Sequence, residues 1–115
     1  MKRRSTLKPL QLLPLSVAAA VAFCAPAWAD GDPVKGKSKS AMCEGCHGIP
    51  GYRTAFPEVY SVPKLGGQQW DYMVKALHDY KSGARAHPSM RGIAATLTDQ
   101  DIADLAAYYA GNSGK

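Results

Sequence analysis

The fold of this chain is decided by a five-residue stretch, Cys43-Glu44-Gly45-Cys46-His47. Two thiols stand three positions apart on a short span, and an imidazole follows the second thiol directly. On a tight turn, both sulfurs can reach the two vinyl groups on one edge of a porphyrin, and the imidazole then falls beneath the iron. The stretch therefore predicts one covalent haem c, held by thioethers from Cys43 and Cys46, with His47 as an axial ligand of the iron.

Three other uses of the two cysteines compete with this interpretation. A zinc site needs four Cys or His ligands, which His78 and His87 would complete only by coincidence, and His78 is otherwise expected in solvent. A thioredoxin-like dithiol expects a βαβ setting that the sequence does not provide. A plain structural disulfide is the third. The histidine that adjoins Cys46 and an export signal at the start of the chain favour haem attachment.

The first 29 residues have the pattern of a cleaved export signal. A basic start at Lys2, Arg3, Arg4 and Lys8 precedes an apolar run over residues 10–23, and Ala27-Trp28-Ala29 offers small residues for a signal peptidase. The run is shorter than the roughly 20 residues that span a bilayer, so no stable membrane anchor is expected after cleavage. Residues 1–29 are thus predicted as signal and residues 30–115 as one periplasmic domain. The twin-arginine and general secretory routes both stay open.

Without the signal, the chain carries ten basic and nine acidic residues, whereas the full sequence has a net charge of +5. This balance gives no reason to expect a nucleic acid partner. A domain of this size has difficulty building a sufficient core from side chains alone. A buried porphyrin would supply the missing core, and in an oxidising compartment it would also give the two thiols a specific use.

Local signals predict a helical domain. A first helix opens at Asp32-Pro33 and runs to about Met42, delivering Cys43 to its end, with Gly36 permitting close approach of another helix. Glycines and prolines make residues 48–67 irregular. A second helix spans 68–81 and stops at Gly83. A third is capped by Thr98 with Asp101, ends at Gly111, and packs against the first helix and the haem. The fold class is all-α, with three to four helices wrapped around one haem.

The sixth iron position requires a ligand from the opposite side, and a thioether favours ferrous iron. Met42 adjoins the motif and cannot cross to that side, while Met73 lies on the apolar stripe of the second helix. Met90 follows in a predicted loop over residues 87–90, where Pro88 stiffens the approach. Met90 is therefore the predicted second ligand, and His87 is its rival.

Taken together, several strings make the domain resemble a class I cytochrome c of the bacterial c553 and c4 type. They are Gly36-Lys37, residues 43–48, Pro63-Lys64-Leu65-Gly66-Gly67-Gln68, Tyr80-Lys81-Ser82-Gly83-Ala84-Arg85, Met90 and residues 97–106. They occur in the order and spacing of that family and span nearly the whole domain. Cytochrome c4 has two such domains and two haems, whereas this sequence has a single motif and resembles one half or a mono-haem relative.

The resemblance implies His47 and Met90 as axial ligands, with the Pro63 carbonyl accepting a hydrogen bond from the free nitrogen of His47. It also implies polar partners for the haem propionates, for which Trp70, Arg53 and Arg85 are candidates. The expected function is single-electron transfer between respiratory or dehydrogenase partners, without enzymatic activity and through transient contacts. The alternatives are a haem subunit of a periplasmic dehydrogenase complex and a haem-based gas sensor or peroxidase.

Overall fold

The computed structural model of the protein describes residues 31–56 and 58–112. These contain five helices, α1 (Pro33–Lys39), α2 (Ala41–His47), α3 (Trp70–Ser82), α4 (Pro88–Ala95) and α5 (Asp99–Ala110). Within these ranges the only extended pairing is an isolated bridge between Arg53 and Ser61. The predicted all-α class is confirmed, with five helices instead of three to four. The predicted export signal, residues 1–29, lies outside the described residues.

The first helix begins where expected but ends earlier. The Asp32 carboxylate accepts hydrogen bonds from the first-turn amides, and Pro33 takes the first helical position. The helix stops at Ser40, whose buried hydroxyl lies 2.9 Å from the Lys37 carbonyl and 2.8 Å from the Glu44 carboxylate. The prediction of one helix to Met42 was wrong, because this side chain holds the backbone at a break between α1 and α2. The cysteine motif consequently lies on a helix of its own.

Helices α1 and α5 approach each other closely at Gly36, as the sequence predicted. A Cβ atom placed on Gly36 would lie 2.0 Å from the carbonyl oxygen of Asp104 and 2.8 Å from the Cβ of Tyr108. Only a residue without a side chain fits this crossing. The expected packing of the last helix against the first is therefore confirmed.

A buried carboxylate fastens the same crossing. Asp104 accepts hydrogen bonds from the Asp32 amide at 2.8 Å, the Gln100 side chain at 2.8 Å and the Lys39 ammonium at 3.0 Å. Burial alone would disfavour its charge, but these three donors outweigh that effect and lower the pKa of Asp104 below its ordinary value. The carboxylate joins the start and the end of α1 to the middle of α5.

The apolar core lies between α3 and α5. Its members are buried hydrophobic side chains: Met73, Val74, Leu97, Ile102, Leu105, Ala106, Tyr108 and Tyr109. Helix α3 ends at Gly83 in the left-handed conformation, with φ of 85°. Helix α5 begins with the predicted capping box between Thr98 and Asp101. No helix in the described part of the chain is both long enough and apolar enough to span a bilayer.

The fourth helix corrects a sequence-based expectation. Residues 87–90 were predicted as a loop, but Met90 lies in the first turn of α4, which packs against α3. Pro88 occupies the first helical position, and the ring of His87 caps the helix by accepting a hydrogen bond from the Met90 amide. An eight-residue helix interrupted by Gly92 is too short to display the apolar periodicity that identified the others.

Candidate haem site

The two cysteines occupy successive turns of α2. The Cys43 and Glu44 amides donate to the Ser40 carbonyl at 2.8 and 2.9 Å, which starts the helix two residues before the first thiol. Residues three apart on a helix share a face. Cys43 is half-buried, Cys46 is exposed, and both are free thiols. The disulfide alternative is thus not formed, and no three Cys, His, Asp or Glu side chains cluster as metal ligands anywhere in residues 31–56 or 58–112.

His47 is held in one orientation by the irregular segment that follows α2. Its Nδ1 lies 2.6 Å from the carbonyl oxygen of Pro63. A carbonyl can only accept, so Nδ1 carries the proton and donates it. Nε2 then keeps the lone pair that a metal ion requires. Pro63 and His47, which the family resemblance linked, are therefore in contact.

Tyr109 of α5 reaches the motif from the core. Its hydroxyl is buried and, among the described residues, has no hydrogen-bond partner of good geometry. Burial raises the pKa of the Tyr109 hydroxyl well above its ordinary value, and the nearby Cys43 thiol adds to the effect. Burial likewise raises the pKa of Cys43, although the Tyr109 hydroxyl opposes this. No pattern in the sequence predicted the position of Tyr109 beside the first thiol.

Met90 and the candidate propionate partners lie on other elements. Met90 is half-buried in the first turn of α4. The Trp70 indole donates to the Ala103 carbonyl at 3.3 Å, so its single donor already has a partner within the core. Arg85 donates to the Tyr72 hydroxyl at 3.3 Å and stacks over the Tyr80 ring, while Arg53 is exposed beside its bridge to residue 61.

Comparison with known proteins identifies the family. The family described as cytochrome c oxidase, cbb3-type, subunit III matches residues 35–108. A cytochrome c-554(548) from Halomonas halodenitrificans is 38% identical over 82 residues, which cover 69% of this chain and 94% of that protein. The chain belongs to the class I c-type cytochromes. The resemblance drawn from the sequence strings is thereby confirmed.

Other relatives of this cytochrome are longer. Cytochrome c4 from Pseudomonas aeruginosa is 44% identical over 84 residues, 73% of this chain but 40% of the relative. A cytochrome subunit of sulfide dehydrogenase from Chlorobaculum tepidum is 32% identical over 81 residues, 70% of this chain and 68% of the relative. The crystal structure of reduced cytochrome c4 from Pseudomonas stutzeri matches with a TM-score of 0.54 and 32% identity, covering 71% of this chain and 50% of that one. The cytochrome thus spans about two fifths to one half of its cytochrome c4 relatives.

Membership of this family implies a covalently bound haem c and its iron, and the described residues fit such a group. Helix α2 of the cytochrome buries none of its residues. Apolar side chains of the segment after it are also uncovered, with Ile49 48% exposed, Val59 61% and Phe56 86%. A bound porphyrin beside the motif would have apolar side chains of this segment to pack against. Two free thiols could form the two thioether bonds of a covalent haem, and an imidazole with an available Nε2 could bind its iron.

Proposed function

We propose that this cytochrome is a periplasmic carrier of single electrons that binds one haem c through Cys43 and Cys46, with His47 and Met90 as axial ligands. The observation that carries the proposal is the motif itself: two free thiols precede an imidazole whose Nδ1 is fixed by the Pro63 carbonyl. When bound, haem c supplies an iron that takes up or gives back one electron.

The chain orients the His47 imidazole through the segment that follows α2. The carbonyl of Pro63 keeps the proton on Nδ1 and fixes the plane of the His47 ring, at 2.6 Å from the ring nitrogen. A hydrogen bond of this kind also makes Nε2 more electron-donating. Because the contact ties α2 to the end of the irregular segment, it holds that segment beside the motif.

Met90 would supply a soft thioether to the iron, a ligand that favours the ferrous state. Its position in the first turn of α4 gives its backbone a defined place on α3, which a loop residue would lack. With His47 and Met90 both holding the iron, small molecules would find no open site, which suits a carrier better than a sensor.

The expected partners are other redox proteins that bind and release quickly. A nearly neutral domain has no strong long-range field, so docking would depend on local charges. Lys64, Arg53, Arg85 and Arg91 are the candidate cationic residues, and all four are exposed. Small transient interfaces suit an electron carrier.

The second candidate function is that of a haem subunit of a periplasmic dehydrogenase. The relative from C. tepidum, which is named as a cytochrome subunit of sulfide dehydrogenase, favours this alternative. The two functions differ in how firmly a catalytic chain is bound. Tagged protein purified from periplasm should elute alone at both low and high salt if it is a carrier. A stoichiometric partner that stays bound at high salt would instead establish the subunit role.

A gas sensor or peroxidase would need an open or displaceable sixth position. Ferrous protein should therefore refuse carbon monoxide at neutral pH, whereas Met90→Ala should bind it readily. Met73→Ala is the matched control, because it removes a methionine of the core and should leave carbon monoxide excluded. Ready binding by the unmodified protein would overturn the carrier assignment.

The central experiment is a reduced-minus-oxidised absorption spectrum of the periplasmic protein, combined with intact mass spectrometry. The proposal requires a c-type spectrum, a sulfur-to-iron charge-transfer band in the ferric state, and the mass of residues 30–115 plus one haem. A mature product without added haem mass would refute it.

A further inference from the structure

The side chain of His87 contacts the candidate ligand Met90 directly. His87 has an extended backbone, with φ of −161° and ψ of 107°, and occupies the N-cap position of α4. Its Nδ1 accepts a hydrogen bond from the Met90 amide at 3.3 Å, and its carbonyl accepts one from the Arg91 amide at 2.8 Å. The ring therefore satisfies one of the amides that a helix start leaves without a partner.

Two aromatic side chains hold the ring in this position. The centroid of Tyr60 lies 4.5 Å from the centroid of His87 with a tilt of 45°, and Tyr80 approaches at 6.2 Å in an edge-to-face arrangement. Tyr60 belongs to the irregular segment after the cysteine motif, and Tyr80 belongs to α3. His87 thus joins the first turn of α4 to both of these elements, and the ring is half-buried between them.

We propose that His87 is a positioning residue that fixes Met90, and that it is not a ligand itself. This inference rests on the proposed function, in which Met90 fills the sixth position. Pro88 has no amide hydrogen, and the amide that the His87 ring caps in this turn is that of Met90. The ring therefore holds the backbone of the residue that would coordinate the iron. Without the cap, the first turn frays and the thioether loses its defined approach.

Two substitutions separate the cap from the aromatic contacts. His87→Phe keeps an aromatic ring between Tyr60 and Tyr80 but removes the acceptor. His87→Asn keeps a side-chain acceptor at a position where Asn is among the best caps, but removes the ring. If His87 positions Met90 through the Met90 amide, His87→Asn should keep the Met90 thioether in place and His87→Phe should not.

The assay is imidazole binding to ferric, haem-loaded protein, followed by loss of the sulfur-to-iron band. Because imidazole competes with Met90, His87→Phe should bind it about fivefold more tightly, the factor expected for loss of one helix cap. His87→Asn should stay close to the unmodified affinity. Thr98→Ala is the control, since it removes the cap of α5 away from Met90 and should leave imidazole affinity unchanged while lowering global stability.

Three results would overturn the inference: unchanged imidazole affinity in His87→Phe, equally tightened imidazole binding in His87→Asn, or equally tightened binding in Thr98→Ala. Failure of the underlying function looks different. If unmodified protein has no sulfur-to-iron band, or if Met90→Ala keeps it, then Met90 is not the ligand. If Met90→Ala loses the band, Thr98→Ala keeps the unmodified imidazole affinity and His87→Phe also keeps it, only the positioning role fails.

Discussion

The crossing of α1 and α5 offers a direct test of the fold, because one substitution at two glycines should change stability in opposite directions. A Cβ on Gly36 would lie 2.0 Å from the Asp104 carbonyl, about 1.4 Å inside the 3.4 Å at which ordinary contact begins. A Cβ on Gly92, in the interior of α4, would meet no atom within 4 Å. Gly36→Ala and Gly92→Ala therefore add the same methyl group to a closed site and an open one.

The magnitudes follow from this geometry. Replacing Gly by Ala inside an exposed helix gains about 1 kcal/mol, so Gly92→Ala should raise the free energy of unfolding by that amount. Overpacking costs about 1 to 3 kcal/mol, and the upper end applies to Gly36 because the clash is with backbone, which cannot rotate away. Because the gain in helix propensity offsets part of this cost, Gly36→Ala should lower the free energy of unfolding by about 2 kcal/mol.

The assay is guanidinium unfolding of the haem-loaded proteins, followed by far-UV circular dichroism. Matching haem spectra before denaturation would show that both variants carry an intact site, so that any difference arises from helix packing. The expected gap between the two variants is about 3 kcal/mol. If Gly36→Ala proved as stable as Gly92→Ala, the close approach of α1 to α5 would be refuted.

Other predictions concern charge, capping and attachment. The ammonium of Lys39, followed by Thr98, lowers the pKa of Asp101 from 3.8 to about 2, so its stabilisation is complete above the higher value and is lost as the pH falls toward the lower one. Denaturant midpoints between pH 4 and 2 should decline less steeply in Asp101→Asn than in the unmodified protein, and equal slopes would contradict this origin of the shift. Thr98→Ala should cost about 1 kcal/mol in the same unfolding assay and Thr98→Ser much less; indistinguishable losses would argue against the capping box. Replacing Cys43 and Cys46 together by Ala should leave little cooperative thermal unfolding in calorimetry, and a sharp haem-free transition would count against a core completed by the porphyrin.

Helix ends marked by short-range chemistry were predictable from the sequence. Each of three such signals acts through atoms a few residues away, and the structure has all three where expected: Asp32 before Pro33, Thr98 before Asp101, and Gly83. The break at Ser40 was not predictable in this way, because a serine inside a helical pattern has no fixed effect until burial commits its hydroxyl.

The candidate site divides along similar lines. The spacing of the cysteines and His47 is local, and it marked the motif at once. Helix α4 was missed because its cap is a histidine, which lies outside the usual set of capping residues. The position of Tyr109 beside Cys43 depends on how α5 lies across the domain, and no pattern along the chain records that.

The pairing of α1 with α5 also brings the two ends of the described domain onto one helix pair. The Asp32 amide is bonded to Asp104, and Asn112 lies only eight residues further on, about 12 Å along a helical path. Because both ends of the described domain lie on this one helix pair, a further unit can be attached there without entering the core, and in the longer cytochrome c4 relatives the matching unit accounts for two fifths to a half of the length.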